Sequence, residues 1–184
     1  LRVLDGRDPT ELWFFPTRGD AEAAFPASAI DVIGEHESVL GRSVNDVIAA
    51  DSDAIALDQV SPGFAGELAS GRARVVLSLC GVIGDSGHHS GAGLLTHDAG
   101  GTRSRLLASA ESYASAFSSR EVLRSVDRVT LGRPATLATG VVGIDNTRAL
   151  PPFSPGHRNE DGVFGLLLRL AMPRAYWGLV PPAL

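Results

Sequence analysis

The sequence predicts an α/β layered domain, and three observations carry that prediction. Three short apolar runs, residues 74–83 (RVVLSLCGVI), 135–144 (ATLATGVVGI) and 175–180 (AYWGLV), are rich in β-branched or aromatic side chains and read as buried strands. The stretches between them carry helix starts and stops, such as Ser61-Pro62 with Gly71 and the run 159–171 closed by Pro173. Strands alternating with helices are the pattern of helices packed on a sheet. The chain has 184 residues, 44% apolar and 20% charged, enough for one domain around its own core. These proportions exclude collagen-like, coiled-coil and wholly disordered chains. No apolar run approaches the ~20 residues that a membrane-spanning helix needs.

Taken in chain order, residues 11–15 (ELWFF), closed by Pro16, predict a strand, and 20–25 predict one helical turn. Ile30, Ile33 and Leu40, set among acids, favour a helix over 30–40. Ser43, three residues before Asp46, is a variant capping pattern that starts a helix through Ala50. Ser61 as N-cap and Pro62 as first helical residue open a helix that ends near Gly71. Residues 84–101, rich in Gly, Ser and His, predict a loop. A helix is predicted over 106–117, and Ser119 is expected to cap another through Val126. The strongest helix is 159–171 (NEDGVFGLLLRLA). Asn159 is placed to cap it, Glu160 and Asp161 sit where the helix dipole favours negative charge, and Pro173 stops it. On this reading 1–184 is a single domain or domain fragment. Residues 1–72 form a mostly helical insertion or linker region and 73–184 the α/β core. The chain opens on Leu1 with no charged-then-apolar leader, and is expected to be a piece of a longer protein.

Charge is distributed unevenly. The net charge is −5, and all 16 basic residues are arginine, which excludes a Schiff-base or phosphate-loop lysine. Residues 1–60 carry a balance of −8 and residues 61–184 one of +3, so the second half tolerates an anionic ligand better. No dense basic stripe with interleaved aromatics points to nucleic acid. Cys80 is the sole cysteine, which excludes an internal disulfide and a cysteine-based zinc cluster. Its apolar surroundings, 75–82, predict a buried inert thiol, consistent with a reducing cytoplasm.

The last third carries an ordered constellation. A strand ends at Gly143-Ile144-Asp145-Asn146, and a short turn through Arg148-Ala149-Leu150 leads to Pro151-Pro152-Phe153. A polar loop to Arg158 precedes Asn159-Glu160-Asp161, the helix follows with Arg169-Leu170 near its end, and a strand runs into Pro181-Pro182. This order resembles the acceptor-side half of GT-A fold glycosyltransferases that use nucleotide-sugar donors. The likeness covers 138–184, about a quarter of the chain. More loosely, the chain looks like the later part of bacterial glycosyltransferase-like proteins of unassigned substrate, with 158–165 (RNEDGVFG) as its most recognisable stretch.

The resemblance implies a GT-A-like layered α/β/α domain without its N-terminal nucleotide-binding half. It implies transfer of a sugar from a nucleotide-sugar to an acceptor hydroxyl by direct displacement. Such a reaction needs a base for the hydroxyl proton. On the family pattern Asp161 is that base, and Glu160 orients it or contacts the acceptor. Arg158 would hold a phosphate or sugar carboxylate, with Asn159 beside it. Asp145 and Asn146, at a strand end, would bind acceptor hydroxyls or simply make the turn. A divalent metal, Mg or Mn, belongs to the donor-binding half, and this chain shows no ligand set for it. Asp51-Ser52-Asp53 has the family's Asp-x-Asp spelling, but follows Ala49-Ala50 at a predicted helix end where the family has an apolar strand. The family's histidine would lie beyond Leu184. The alternatives are a non-catalytic carbohydrate- or nucleotide-binding domain of the same fold, and plain dipole stabilisation by Glu160 and Asp161.

Other motifs compete less well. Gly84-Asp85-Ser86-Gly87 reads like the nucleophile tetrapeptide of trypsin-like proteases, but His88 stands where those have glycine, and His36 is the sole upstream histidine. A glycine-rich loop leaving a strand is also a natural ligand site in α/β sheets, where Asp85 and Ser86 would contact a sugar hydroxyl or phosphate. His88, His89, His97 and Asp98 cluster in the same loop, and adjacent histidines rarely face one ion.

Overall fold

The computed structural model describes residues 1–5, 11–24, 31–50, 60–81, 83–84, 101–119, 121–133, 141–156 and 159–181. The larger of its two sheets has five strands: β1 (Arg2–Asp5), β3 (Arg74–Cys80), β6 (Thr130–Arg133), β7 (Val141–Ile144) and β8 (Ala175–Val180). Their order is β1-β6-β8-β3-β7. The central β3 and β8 run parallel, flanked antiparallel by β7 and β6, and β1 pairs parallel with β6. The smaller sheet is antiparallel, in the order β2 (Glu11–Phe15), β5 (Glu121–Ser125), β4 (Ile83–Gly84).

Helices cover both faces of the large sheet, so the chain is of the α/β class, as the apolar runs predict. On β8, Tyr176 and Val180 face one way and Ala175 and Trp177 the other. The first pair packs with Val39 of α2 (Val32–Val39), Val44 and Val47 of α3 (Val44–Ala50) and Phe64 of α4 (Pro62–Ser70). The second pair packs under Phe164 and Leu168 of α7 (Glu160–Ala171). A register shift between Val75 and Leu77 puts both Val76 and Leu77 under α7, as a β-bulge does. Each fully buried large side chain here contributes about 1.5–3 kcal/mol. The helices α2–α4 lie within 1–72. They form one face of the sheet, and β1 from the same region joins it through β6.

Local signals explain several boundaries. Ser61 Oγ accepts from Phe64 N at 3.1 Å and Pro62 opens α4, which ends at Gly71. Ser43 Oγ accepts from Asp46 N at 3.0 Å at the start of α3, as its spacing predicts. Over 20–25 the single expected turn belongs to α1 (Arg18–Ala24).

Three expectations are corrected. The run 74–83 is not one strand: β3 stops at Cys80 and Ile83–Gly84 joins the other sheet. Gly81 lets the chain pass there, since a Cβ on it would meet the Ser125 side chain and Arg124 O. The helix expected over 106–117 begins four residues later, as α6 (Ala110–Ser118), because Ser109 Oγ accepts from Ser112 N at 2.9 Å and starts it there, whereas Leu106 ends a separate short helix, α5 (Thr102–Leu106). Ser119 does not cap a helix through Val126. It ends α6, donates its hydroxyl to Phe15 O, and is followed by β5, which pairs along all five residues of β2. The strand expected over 135–144 is seen at Val141–Ile144, its earlier part lying outside the described residues. The strands β1 and β6 have no counterpart in the sequence reading.

The small sheet has its own core of Leu12, Val122, Leu106 and Ala116. Arg105 of α5 closes the edge of β2: it donates to Glu11 Oε2 at 2.8 Å and to Leu12 O at 2.8 Å, and its guanidinium lies 4.6 Å from the Trp13 ring centroid. Among the described residues no helix is long and apolar enough to cross a membrane.

Candidate functional site

The opening turn of α7 is set by a left-handed residue. Asn159 has φ 72° and ψ 30°, and its side chain makes no capping bond, so the expected Asn159 cap is absent. The chain swings into the helix here, and Val163 N donates to Asn159 O at 3.0 Å. Glu160 is exposed and Asp161 half-buried, with Asp161 Oδ1 accepting from Gly162 N at 2.8 Å. Both acids stand in the first turn, where the dipole favours them. Phe153 stacks on Phe164 with centroids 3.9 Å apart and planes 8° from parallel, which ties the Pro-Pro-Phe segment to the helix.

Helix α7 returns to β8 through a short turn at Met172–Arg174, so the two run in roughly opposite senses. Its first turn therefore stands at the end of the layer where β3 and β8 finish. Ligands of open α/β sheets bind outside the carboxyl ends of the strands. Arg158, Asp85 and Ser86, expected at this end, lie outside the described residues, as do His88, His89, His97, Asp98, Asp51 and Asp53.

The structure places Asp145 and Asn146 elsewhere. Asp145 follows β7 at the end where β3 and β8 begin, and it lines a cavity of about 310 Å³ with Met172, Pro173 and Arg174. That point is one length of α7, ~18 Å, from Glu160 at the usual rise per residue. The five described residues of the expected site thus fall into two groups: Asn159, Glu160 and Asp161 at one end, Asp145 and Asn146 at the other.

Asp145 is almost fully buried, and its Oδ1 accepts from Thr147 N at 3.1 Å and Thr147 Oγ1 at 2.7 Å, which is the turn-making role. Burial pushes its pKa upward, but the two Thr147 hydrogen bonds, Arg74 and Arg148 together outweigh burial. The carboxyl stays below its ordinary range. Around it the cavity wall carries Arg72, Arg74, Arg148 and Arg174. Sequence reasoning missed this grouping. Its one trace was the positive balance of the second half of the chain.

His36 has a definite partner. Its Nδ1 lies 2.7 Å from Ser78 Oγ on β3, and Ser78 is 0% exposed. Burial lowers the His36 pKa below 6.5, against an opposing pull from Glu35. A serine sealed in the core reaches no substrate, and the mixed α/β scaffold is not the two-barrel scaffold of trypsin-like proteases. The pair is structural. Cys80 is buried, as its neighbours predict. Among the described residues no three His, Cys, Asp or Glu side chains converge on a metal position.

No family model, curated protein or solved structure matches this chain.

Proposed function

We propose that the chain is the acceptor-side part of a GT-A-like layered glycosyltransferase domain. The observation that supports this most is the position of Glu160-Asp161: on the first turn of a helix packed over the sheet, at the carboxyl ends of its two central parallel strands. In the transfer, the acceptor oxygen forms a bond to the anomeric carbon as the bond from that carbon to the donor phosphate breaks. The hydroxyl proton passes to the Asp161 carboxylate, and the nucleotide leaves with the bonding pair. Glu160, one residue earlier and exposed, contacts acceptor hydroxyls. The base and acceptor contacts come from side chains of α7.

A second reading, a non-catalytic carbohydrate-binding domain of the same fold, is favoured by one observation. Glu160 is exposed and the Asp161 carboxylate is already bonded to Gly162 N–H, an arrangement suited to holding hydroxyls without taking a proton. One experiment separates the readings. Purified protein is incubated with a panel of nucleotide-sugars and saccharide acceptors, and nucleotide release is measured for the wild type and Asp161→Asn. Transfer predicts turnover that falls about 10²–10⁴-fold in the variant. Saccharide binding without turnover supports the second reading. Turnover equal in both proteins, or neither turnover nor saccharide binding, refutes both.

A further inference from the structure

The cavity beside Asp145 has the composition of an anion site. Among the described residues its wall carries four arginines and one carboxylate, Asp145, a local balance of +3 in a chain whose net charge is −5. The arginines come from three places that only the fold joins. Arg72 leads into β3 and Arg74 opens it, Arg148 follows β7, and Arg174 precedes β8, which pairs with β3 so that Ala175 stands beside Arg74. Arg74 is anchored by donating to Gly41 O. Among the described residues no carboxylate lies within 4.0 Å of the Arg72, Arg148 or Arg174 nitrogens. Like charges gathered in one hollow repel, and a dianion between them would replace that repulsion with charge-assisted hydrogen bonds.

The remaining described wall is apolar: Val76, Ala171, Met172, Pro173 and Ala175. A volume of about 310 Å³ lies at the small end of the range for small-molecule sites and is far larger than a bare phosphate needs. Asp145 adds specificity. Its Oδ1 is taken by Thr147, which leaves Oδ2 as an acceptor for a hydroxyl. We infer that this cavity binds a small phosphorylated sugar or polyol, its phosphate held by Arg148 and Arg174 and one of its hydroxyls by Asp145. The bulge that brings Val76 under α7 also carries the carbonyl that accepts Asp145 N at 3.0 Å, so the sheet irregularity positions the carboxylate. The site is separate from the opening turn of α7 and does not rest on the role given to Asp161.

The test is calorimetric titration with a hexose phosphate, inorganic phosphate and the neutral hexose. The hexose phosphate is expected to bind about tenfold or more tightly than either of the others, with affinity falling as salt rises. The double variant Arg148→Gln/Arg174→Gln, both at exposed positions, is expected to weaken it at least about tenfold with an unchanged melting curve, while Arg128→Gln leaves it unaltered. Asp145→Asn is expected to erase the preference for the hexose phosphate over inorganic phosphate. Equal binding by wild type and double variant, inorganic phosphate bound as tightly as the hexose phosphate, or no binding at millimolar concentration would each overturn the inference.

Discussion

Gly143→Ala is the sharpest probe of how the β7 edge is built. A methyl there would fall well inside contact distance of Ser78 Oγ and lie 3.1 Å from His36 Nδ1 and 3.3 Å from His36 Cγ. None of these atoms ends a flexible chain, because Ser78 is fully buried and bonded to His36. Forcing the methyl in costs about 1–3 kcal/mol of overpacking. Pushing Ser78 off His36 also leaves a buried polar pair unmade, at about 1–3 kcal/mol. The expected loss is therefore about 2–6 kcal/mol, a large share of a stability of about 5–15 kcal/mol. Ser78→Ala alone should cost about 1–3 kcal/mol through the unpaired His36 ring. In the double variant the serine oxygen that blocks the methyl is gone. The two changes should then be less than additive, with a coupling of about 0.5–3 kcal/mol. Urea unfolding followed by tryptophan fluorescence, well above the titration of His36, measures the cycle. Additive losses, or a Gly143→Ala protein as stable as wild type, would refute the close three-way packing.

Two further outcomes follow from the same core. His36 resists protonation in the folded state while the unfolded chain takes a proton near pH 6.5, so its contribution is complete above about 6.5 and is lost as pH falls below that value toward the lower folded one. The urea midpoint should drop on acidification across this window, and a midpoint flat from pH 7.5 to 5.5 would contradict the buried neutral ring. Asp145, with its lowered value, gives way only further down, below 3.8. Leu168→Ala should cost about 2–5 kcal/mol with an unchanged denaturant slope, since its side chain is fully buried between α7 and the sheet; a loss under about 1 kcal/mol would place that helix off the core.

What could be read in the sequence divides along physical lines. The β2, α4, α7 and β8 segments were legible because their own residues carry the signal. ELWFF is closed by proline, Ser61-Pro62 is an N-cap with its first residue, and AYWGLV is buried along its whole length. β6 was not, because the four residues TLGR become a strand only between β1 and β8. β5 was misread because Ser119-Arg120-Glu121 resembles a helix start, whereas pairing with all five residues of β2 outweighs that local preference. The acids of α7 were found by their place in a helix. The arginine-lined cavity was not, because Arg72 and Arg174 are neighbours only through the parallel pairing of β3 with β8.

The central claim is that the first turn of the last helix meets a saccharide. The amide of Gly162 reports on it directly, since it donates to Asp161 Oδ1 at 2.8 Å. Backbone chemical shifts recorded while saccharide acceptors are titrated in should move Gly162 and its neighbours on that turn, saturably, with the shift abolished in Asp161→Asn. Shifts confined to other parts of the chain, with Gly162 unmoved at saturation, would contradict the account.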